Sequence, residues 1–383
     1  MLDINYYRES ENRAKTILPT WVISKKYNLE IFEKEGFPIR INNIQQTRQI
    51  FDTMQESRFM SFMDELNGFS AQDLSIFVEA CVKNIQFQEN YFPTHKSIIP
   101  FDTLLIAFTI FKKISGLKPK AKRILEIGPG TGGISYYLKN LSSLKEYTYT
   151  DACESFYLLQ NNVNFFLFKD KFKQKVIEKY DNTCYMDDNN TKYTQGGLEE
   201  QFFIDKYKKN DFTCNAYPWW KLGELNKNSS KYDIITSNAN LLEFSEGALN
   251  DYLSIMFNTL KKDGMIFVQC LGYSLLRDSK YLFEKLKKYN FAVYFFTVGQ
   301  TSYNGHKTKE NMEKTFILPN MVLIKKGHPS YEKFKNGPNF PVQLSNNLAV
   351  NEVFFPELDS TKKIFKKEEI KNIVIKKLKA LNE

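Results

Sequence analysis

The sequence predicts an α/β protein: a mostly parallel β-sheet wrapped by helices, with an antiparallel closing strand and a helical domain ahead of it. Three observations predict this. Residues 1–118 place apolar side chains at helical intervals without strand alternation. From Arg123 onward, short apolar runs alternate with helix-periodic stretches, the pattern of strand–helix units. The last two apolar runs, "FAVYFFTV" and "NMVLIKKG", have no helical pattern between them, which favours antiparallel pairing.

The N-terminal elements come first. In "NNIQQTRQIFDTMQESRFMSFMDEL", Ile44, Ile50, Phe51, Met54, Phe62 and Leu66 recur at helical spacing. Ser70 followed by Asp73 resembles a capping box opening a helix with Leu74, Phe77, Val78, Cys81 and Ile85 on one face. A third helix carries Phe101, Leu104, Leu105, Phe108 and Phe111 and stops near Gly116 and Pro119. The sheet then begins with "RILEIG" and a helix at "TGGISYYLKNL". A strand "EYTYTD" and a helix "SFYLLQNNVNFFLF" follow. A third strand is placed near "DFTCNAY", after a polar insertion at 169–211. "KYDIITSNA" is the fourth strand. It leads to a helix opening near Ser245 with Leu249, Tyr252, Leu253, Met256, Phe257 and Leu260 on one stripe. "GMIFVQCLG", a helix at "KYLFEKLKKY" and the closing pair complete the domain. The expected units are therefore an N-terminal helical domain or cap (1–118), a sheet domain (119–328), and a C-terminal linker with a Lys-rich amphipathic helix (329–383). Ile370, Ile373, Val374 and Leu378 form one face of that last helix, which is expected to pack on the body or on another subunit, leaving a homo-oligomer open.

Composition narrows the function classes. The chain has 383 residues, 42% hydrophobic and 15% aromatic, enough for a large core. No run approaches the ~18 apolar residues of a membrane span. The N-terminus "MLDINYYRESENR" lacks the basic start and apolar block of a signal peptide. Five scattered cysteines without a C-x-x-C argue for a reduced, cytoplasmic protein and against a structural zinc site, and no carboxylate cluster identifies a metal. The net charge of +9 leaves a nucleic-acid partner open without favouring it, because the lysines alternate with acids along the chain.

The informative stretch is "RILEIGPGTGGISYYLKNL". A strand, a glycine-rich turn and a helix bring backbone N–H groups to an anionic ligand group. Gly128, Gly130 and Gly133 fit the G-x-G-x-x-G of dinucleotide enzymes; Gly128, Gly130 and Gly132 fit the G-x-G-x-G of methyltransferases. Three neighbouring features bear on the choice. Glu126 ends the strand, where a carboxylate suits a ligand ammonium better than a pyrophosphate. Asp151 ends the next strand, about 20 residues on, where an acid accepts hydrogen bonds from ribose hydroxyls in both cofactor classes. The closing strand pair leaves no second mononucleotide-binding half. Together these favour S-adenosylmethionine over NAD.

Residues from about 120 to 326 resemble a class I methyltransferase with its Rossmann-like sheet, "EIGPGTGG" being similar to the family's first motif. "YDIITSNANLLEFSEGALNDYLSIMFNTLKKDGMIFVQCLG" and "YTYTDACESFYLLQNN" are similar to bacterial sugar O-methyltransferases. The resemblance implies that Glu126, Gly128, Gly130 and Gly132 line the methionine end of the cofactor and that Asp151 holds its ribose. It further implies that Asn215 in "CNAYPWW" meets the adenine edge, with Trp219 or Trp220 stacking on the base or else anchoring the sheet. Ser237 and Asn238 would lie near the reactive methyl. A sugar hydroxyl needs a general base; His306 in "SYNGHKTK", Glu243 beyond the fourth strand and His95 in "FPTHKS" are the candidates, while His328 reads as a surface residue. The expectation is O-methylation of a small-molecule or glycan acceptor, with the N-terminal helices helping to form its pocket. RNA or another small molecule, and a non-catalytic partner subunit, are the alternatives. The Ser237-Asn238-Ala239-Asn240 run departs from the Asn/Asp-Pro-Pro-aromatic tetrapeptide of adenine-N6 and glutamine-directed enzymes.

Overall fold

The computed structural model describes residues 2–17, 37–53, 58–176, 212–272, 277–298, 320–336, 342–343 and 361–382. Nine strands among the described residues form one sheet: β1 (Arg123–Ile127), β2 (Glu146–Asp151), β3 (Phe172–Gln174), β4 (Thr213–Pro218), β5 (Tyr232–Asn238), β6 (Leu260–Gln269), β7 (Phe291–Val298), β8 (Asn320–Lys325) and β9 (Val342–Gln343). Their order is β3-β4-β2-β1-β5-β6-β8-β7-β9. β8 lies between β6 and β7 and runs antiparallel to both; the other pairings are parallel. This is the mostly parallel sheet with an antiparallel closing strand that the sequence predicts. β1 and β2 are buried along almost their whole length, as parallel strands covered on both faces are.

The α-helices of six or more residues among the described residues are α1 (Ile4–Ile17), α2 (Arg48–Thr53), α3 (Phe59–Glu65), α4 (Ala71–Tyr91), α5 (Phe101–Leu117), α6 (Glu154–Phe168), α7 (Glu246–Thr259), α8 (Ser279–Lys288) and α9 (Lys367–Asn382). The capping box at α4 is formed: Asp73 N–H donates to Ser70 Oγ (3.1 Å) and Ser70 N–H to Asp73 Oδ2 (3.2 Å). Asp73 also accepts from Lys112 Nζ on α5 (2.9 Å), so the cap joins two helices. Leu104, Leu105, Phe108 and Phe111 of α5 are buried in a core continuous with the sheet, each worth about 1.5–3 kcal/mol in transfer. α9 packs on α4 through buried Ile370 and Val374, whereas Ile373, expected on the same face, is 38% exposed.

Three expectations need correction. The helix read at "TGGISYYLKNL" is absent; two 3₁₀ turns, Gly133–Tyr136 and Leu138–Asn140, stand there instead. Residues 131–138 are all buried, so the stretch has no wet face for an amphipathic helix. It is also pressed onto α5, where a Cβ on Gly133 would stand 2.8 Å from Ala107 Cβ. Secondly, the long helical pattern from Asn42 is divided into a 3₁₀ turn (Ile44–Thr47), α2 and α3, with Met54 outside the described residues. Thirdly, the segment read as an insertion from residue 169 opens with a 3₁₀ turn and the edge strand β3, so the strand near "DFTCNAY" is the fourth in chain order and not the third. Residues 177–211 lie outside the described residues.

Candidate functional site

The site is built on the turn after β1. Gly128, Gly130 and Gly132 have φ of 67°, 58° and 75°, the left-handed region that glycine enters without strain. Gly128 is constrained by space as well: a Cβ there would stand 2.5 Å from Asn240 Nδ2. That amide donates to the Ile127 carbonyl (2.9 Å) and to Ser237 Oγ (3.1 Å), fastening the turn to the end of β5.

Two buried carboxylates flank the turn. Glu126 accepts a hydrogen bond from the Tyr147 hydroxyl. Burial pushes its pKa up to about 8; the tyrosine bond works against the rise and the charge of Asp151 adds to it. Asp151 is pushed up to about 6 by burial, held back by Gln160 and by backbone N–H groups that follow the strand. Its Oδ1 accepts from Cys153 N–H (2.9 Å) and its Oδ2 from Gln160 Nε2 (2.8 Å). The turn itself is half-exposed at residues 128–130.

The carboxyl ends of β5 and β6 complete the edge. Ser237 is buried, and Asn238 Oδ1 is buried without a hydrogen-bond partner. Ala239 and Cys270 hold φ of 54° and 61°, an uncommon conformation for residues with a Cβ, at the two adjacent strand ends. Glu243, half-buried, follows in the turn after β5; its Cγ lies 3.0 Å from where a Cβ on Gly272 would be. At the end of β6, Gln269 Oε1 accepts from Thr109 Oγ1 (3.1 Å) and Lys113 Nζ (2.9 Å) of α5. Lys113 also donates to Glu65 of α3 and to Asn320 Oδ1 of β8 (2.8 Å), so helices and sheet share one buried polar joint.

The residues expected at the adenine are placed elsewhere. Asn215 donates to Glu146 Oε1 (3.3 Å), at the amino end of β2 and away from the carboxyl edge. Trp219 is fully buried and its indole N–H donates to Glu11 Oε1 of α1 (3.0 Å), while Trp220 meets Tyr7 edge-on at 4.9 Å. The tryptophans are anchors for α1. The same helix sends Arg8 to Glu154 in the first turn of α6 (2.9 Å), and Arg40 joins Glu154 to Glu11 (2.7 Å to Glu11). Burial opposes ionisation of Glu154, but the Arg8 and Arg40 hydrogen bonds hold its pKa below the usual value. Residues 39–41 run across the start of α6, with Ile39 O accepting from Ser155 N–H (3.2 Å). Thus α1 covers the segments that follow β2 and β4, while α3 and α5 meet the end of β6.

The structure brings Glu126, Gly128, Gly130, Gly132, Asp151, Ser237, Asn238 and Glu243 to one sheet edge. His95 is an exposed turn residue whose Nδ1 lies 3.1 Å from Thr94 Oγ1. His306 lies outside the described residues. His328 sits in a turn, its Nδ1 accepting from Ser330 N–H. Among the described residues, no cluster of three His, Cys, Asp or Glu could hold a metal, and no helix is long and apolar enough to cross a membrane. Sequence reading passed over Tyr147, Gln160 and Asn240. Strand alternation puts Tyr147 on the same face as Asp151, which was a usable signal; Gln160 and Asn240 carried none.

No protein-family model and no curated protein matches the sequence. Solved structures are similar to part of the chain. The O-methyltransferase TomG of Streptomyces achromogenes is 12% identical, over 70% of this chain and 95% of that one, with a TM-score of 0.35. The 1,6-didemethyltoxoflavin-N1-methyltransferase of Burkholderia thailandensis is 13% identical, over 58% and 78%, with a TM-score of 0.32. The 4+2 cyclase SpnF is 10% identical, over 60% and 83%, with a TM-score of 0.35. Likenesses of this size carry no weight for substrate or reaction.

Proposed function

We propose that this protein is an S-adenosylmethionine-dependent O-methyltransferase acting on a hydroxyl of a sugar or glycan precursor. The observation that carries the cofactor half is the pair of buried carboxylates, Glu126 and Asp151, on either side of the glycine turn. A pyrophosphate would oppose ionisation of both of them, whereas an ammonium and two ribose hydroxyls favour their ionised forms. The 3₁₀ turns after the glycines point the same way, since no sustained helix dipole backs an anion there. The residues fit the group: Glu126 toward the ammonium, Asp151 toward the ribose, and the unpartnered Asn238 Oδ1 at the adjoining strand end.

When bound, the cofactor supplies an electrophilic methyl group on a sulfonium. The chain's own work is then to align an acceptor hydroxyl and to take its proton. Glu243, at the carboxyl edge beside Gly272, is the described candidate for that base; His306 and His95 are the others. The hydroxyl class and the sugar assignment rest on the sequence resemblance from Tyr232 to Gly272 and from Tyr147 to Asn162.

Calorimetry with S-adenosylhomocysteine tests the cofactor, and absence of binding to folded protein refutes it. Release of S-adenosylhomocysteine across nucleotide sugars, free glycans and RNA tests the acceptor, and turnover confined to RNA refutes the sugar. Full activity in Glu243→Ala, His306→Ala or His95→Ala removes that residue as base.

A further inference from the structure

Resting on that cofactor reading, we propose that Gln160 is a positioning residue of the nucleoside site, holding the glycine turn and Asp151 at the spacing the ligand requires. Gln160 lies on α6 and is fully buried. Both hydrogens of its Nε2 go to the site, one to the Gly130 carbonyl (2.7 Å) and one to Asp151 Oδ2 (2.8 Å). Its stem lies beside the turn as well: a Cβ on Gly132 would stand 3.7 Å from Gln160 Cγ. One side chain therefore bonds both the turn and the acid.

Its neighbours show that this is not the ordinary behaviour of an amide on α6. Asn161 Nδ2 donates back to the Tyr157 carbonyl (2.7 Å) and Asn164 Nδ2 to the Gln160 carbonyl (2.8 Å), both within the helix. Gln160 instead leaves its helix for a strand end and a loop. The far oxygen, Oε1, is buried and has no partner. A buried acceptor left open costs free energy unless something donates to it. With its donor end committed to the protein, the amide offers only that oxygen, which suits a hydroxyl of the ligand.

Asp151 is thereby gripped at both oxygens, Oδ1 by the Cys153 N–H and Oδ2 by Gln160. The other titratable groups that face it are Glu126 from β1, Cys153 and Tyr157 from the α6 side, and Tyr252 from α7. A variant at 160 leaves all of these in place, so a change in the titration of Asp151 reports on the amide.

The test is calorimetric binding of S-adenosylhomocysteine from pH 5 to 8.5 to the wild type, Gln160→Met and Gln160→Asn, with melting temperatures alongside. Gln160→Met should bind about tenfold more weakly, equivalent to about 1.4 kcal/mol, and the midpoint of its pH dependence should move upward because a donor to the Asp151 charge is gone. Gln160→Asn keeps the amide on a shorter stem that cannot span both partners; it should fall between the two, and it carries the test if the methionine variant does not fold. Binding within twofold of wild type, or weaker binding with a lower melting temperature but an unmoved midpoint, overturns the proposal. A wild type that fails to bind S-adenosylhomocysteine refutes the cofactor reading instead.

Discussion

Lys113→Met should be among the most damaging single changes outside the glycine turn, and its cost follows from the atoms around Nζ. The ammonium is fully buried and donates to Glu65, to Gln269 Oε1 (2.9 Å) and to Asn320 Oδ1 (2.8 Å). Burial alone lowers its pKa, and the Glu65 carboxylate is what offsets this. Removing the lysine leaves Glu65 as a buried charge with the Asn320 amide (3.1 Å) as its recorded donor. Breaking a buried pair in this way costs about 3–5 kcal/mol. Removing both charges is a different matter: Glu65→Leu with Lys113→Met deletes the uncompensated charge and should cost no more than about 1–2 kcal/mol. Urea unfolding of the four proteins at constant m-value gives the coupling energy, expected at about 3 kcal/mol or more. Additive losses, with the double variant as unstable as the two singles summed, would refute the reasoning. Such a result would mean that the joint is held by packing.

Three further outcomes are expected. Gly128→Ala must place a Cβ 2.5 Å from an Asn240 amide that two hydrogen bonds hold still, at a φ of +67°; it should lose about 1–3 kcal/mol in thermal unfolding and at least tenfold in S-adenosylhomocysteine affinity. Glu126 and Asp151 have folded pKa values of about 8 and 6, above their ordinary 4.5 and 3.8, so the folded protein holds the extra protons. Their contribution to stability is therefore favourable at low pH and is lost as pH rises from about 4 to about 8, while a cationic ligand drives the protons off. S-adenosylmethionine binding should accordingly tighten from pH 6 to 8 and release protons, seen as different apparent enthalpies in phosphate and Tris; equal enthalpies would count against a protonated site. Ser70→Ala should lower stability by about 1 kcal/mol without changing ligand affinity, since it removes the α4 cap far along the chain from the glycine turn.

The strands were legible as short runs rich in β-branched, aromatic and aliphatic residues, and Asp151 and the glycines because they sit where those runs stop. The helix after the glycines was misread for a physical reason. Ile134, Tyr136, Tyr137 and Leu138 look like one helical face, but the backbone there closes into two 3₁₀ turns held tightly against α5, a contact that lies outside the local pattern. The anchoring of Trp219 could not be read at all, since its partner Glu11 lies more than half the chain away. Gln160 was equally hidden: its meaning comes from the loop and strand it reaches, and its helix gives no hint of either. Tyr147 was within reach, because "EYTYTD" sets residues 147, 149 and 151 on one face.

The charge cluster beneath α1 has a consequence for motion. Glu154 and Glu11 are almost completely buried, but Arg8 and Arg40 are 36% and 42% exposed, so half of each pair is reachable by water and salt. Ion pairs of that kind weaken with ionic strength while the apolar core beneath them does not. The seam between α1 and the ends of β2 and β4 is thus a local weak line, able to open well below the free energy that unfolds the sheet. Amide exchange along residues 4–17 should quicken with salt before any strand responds.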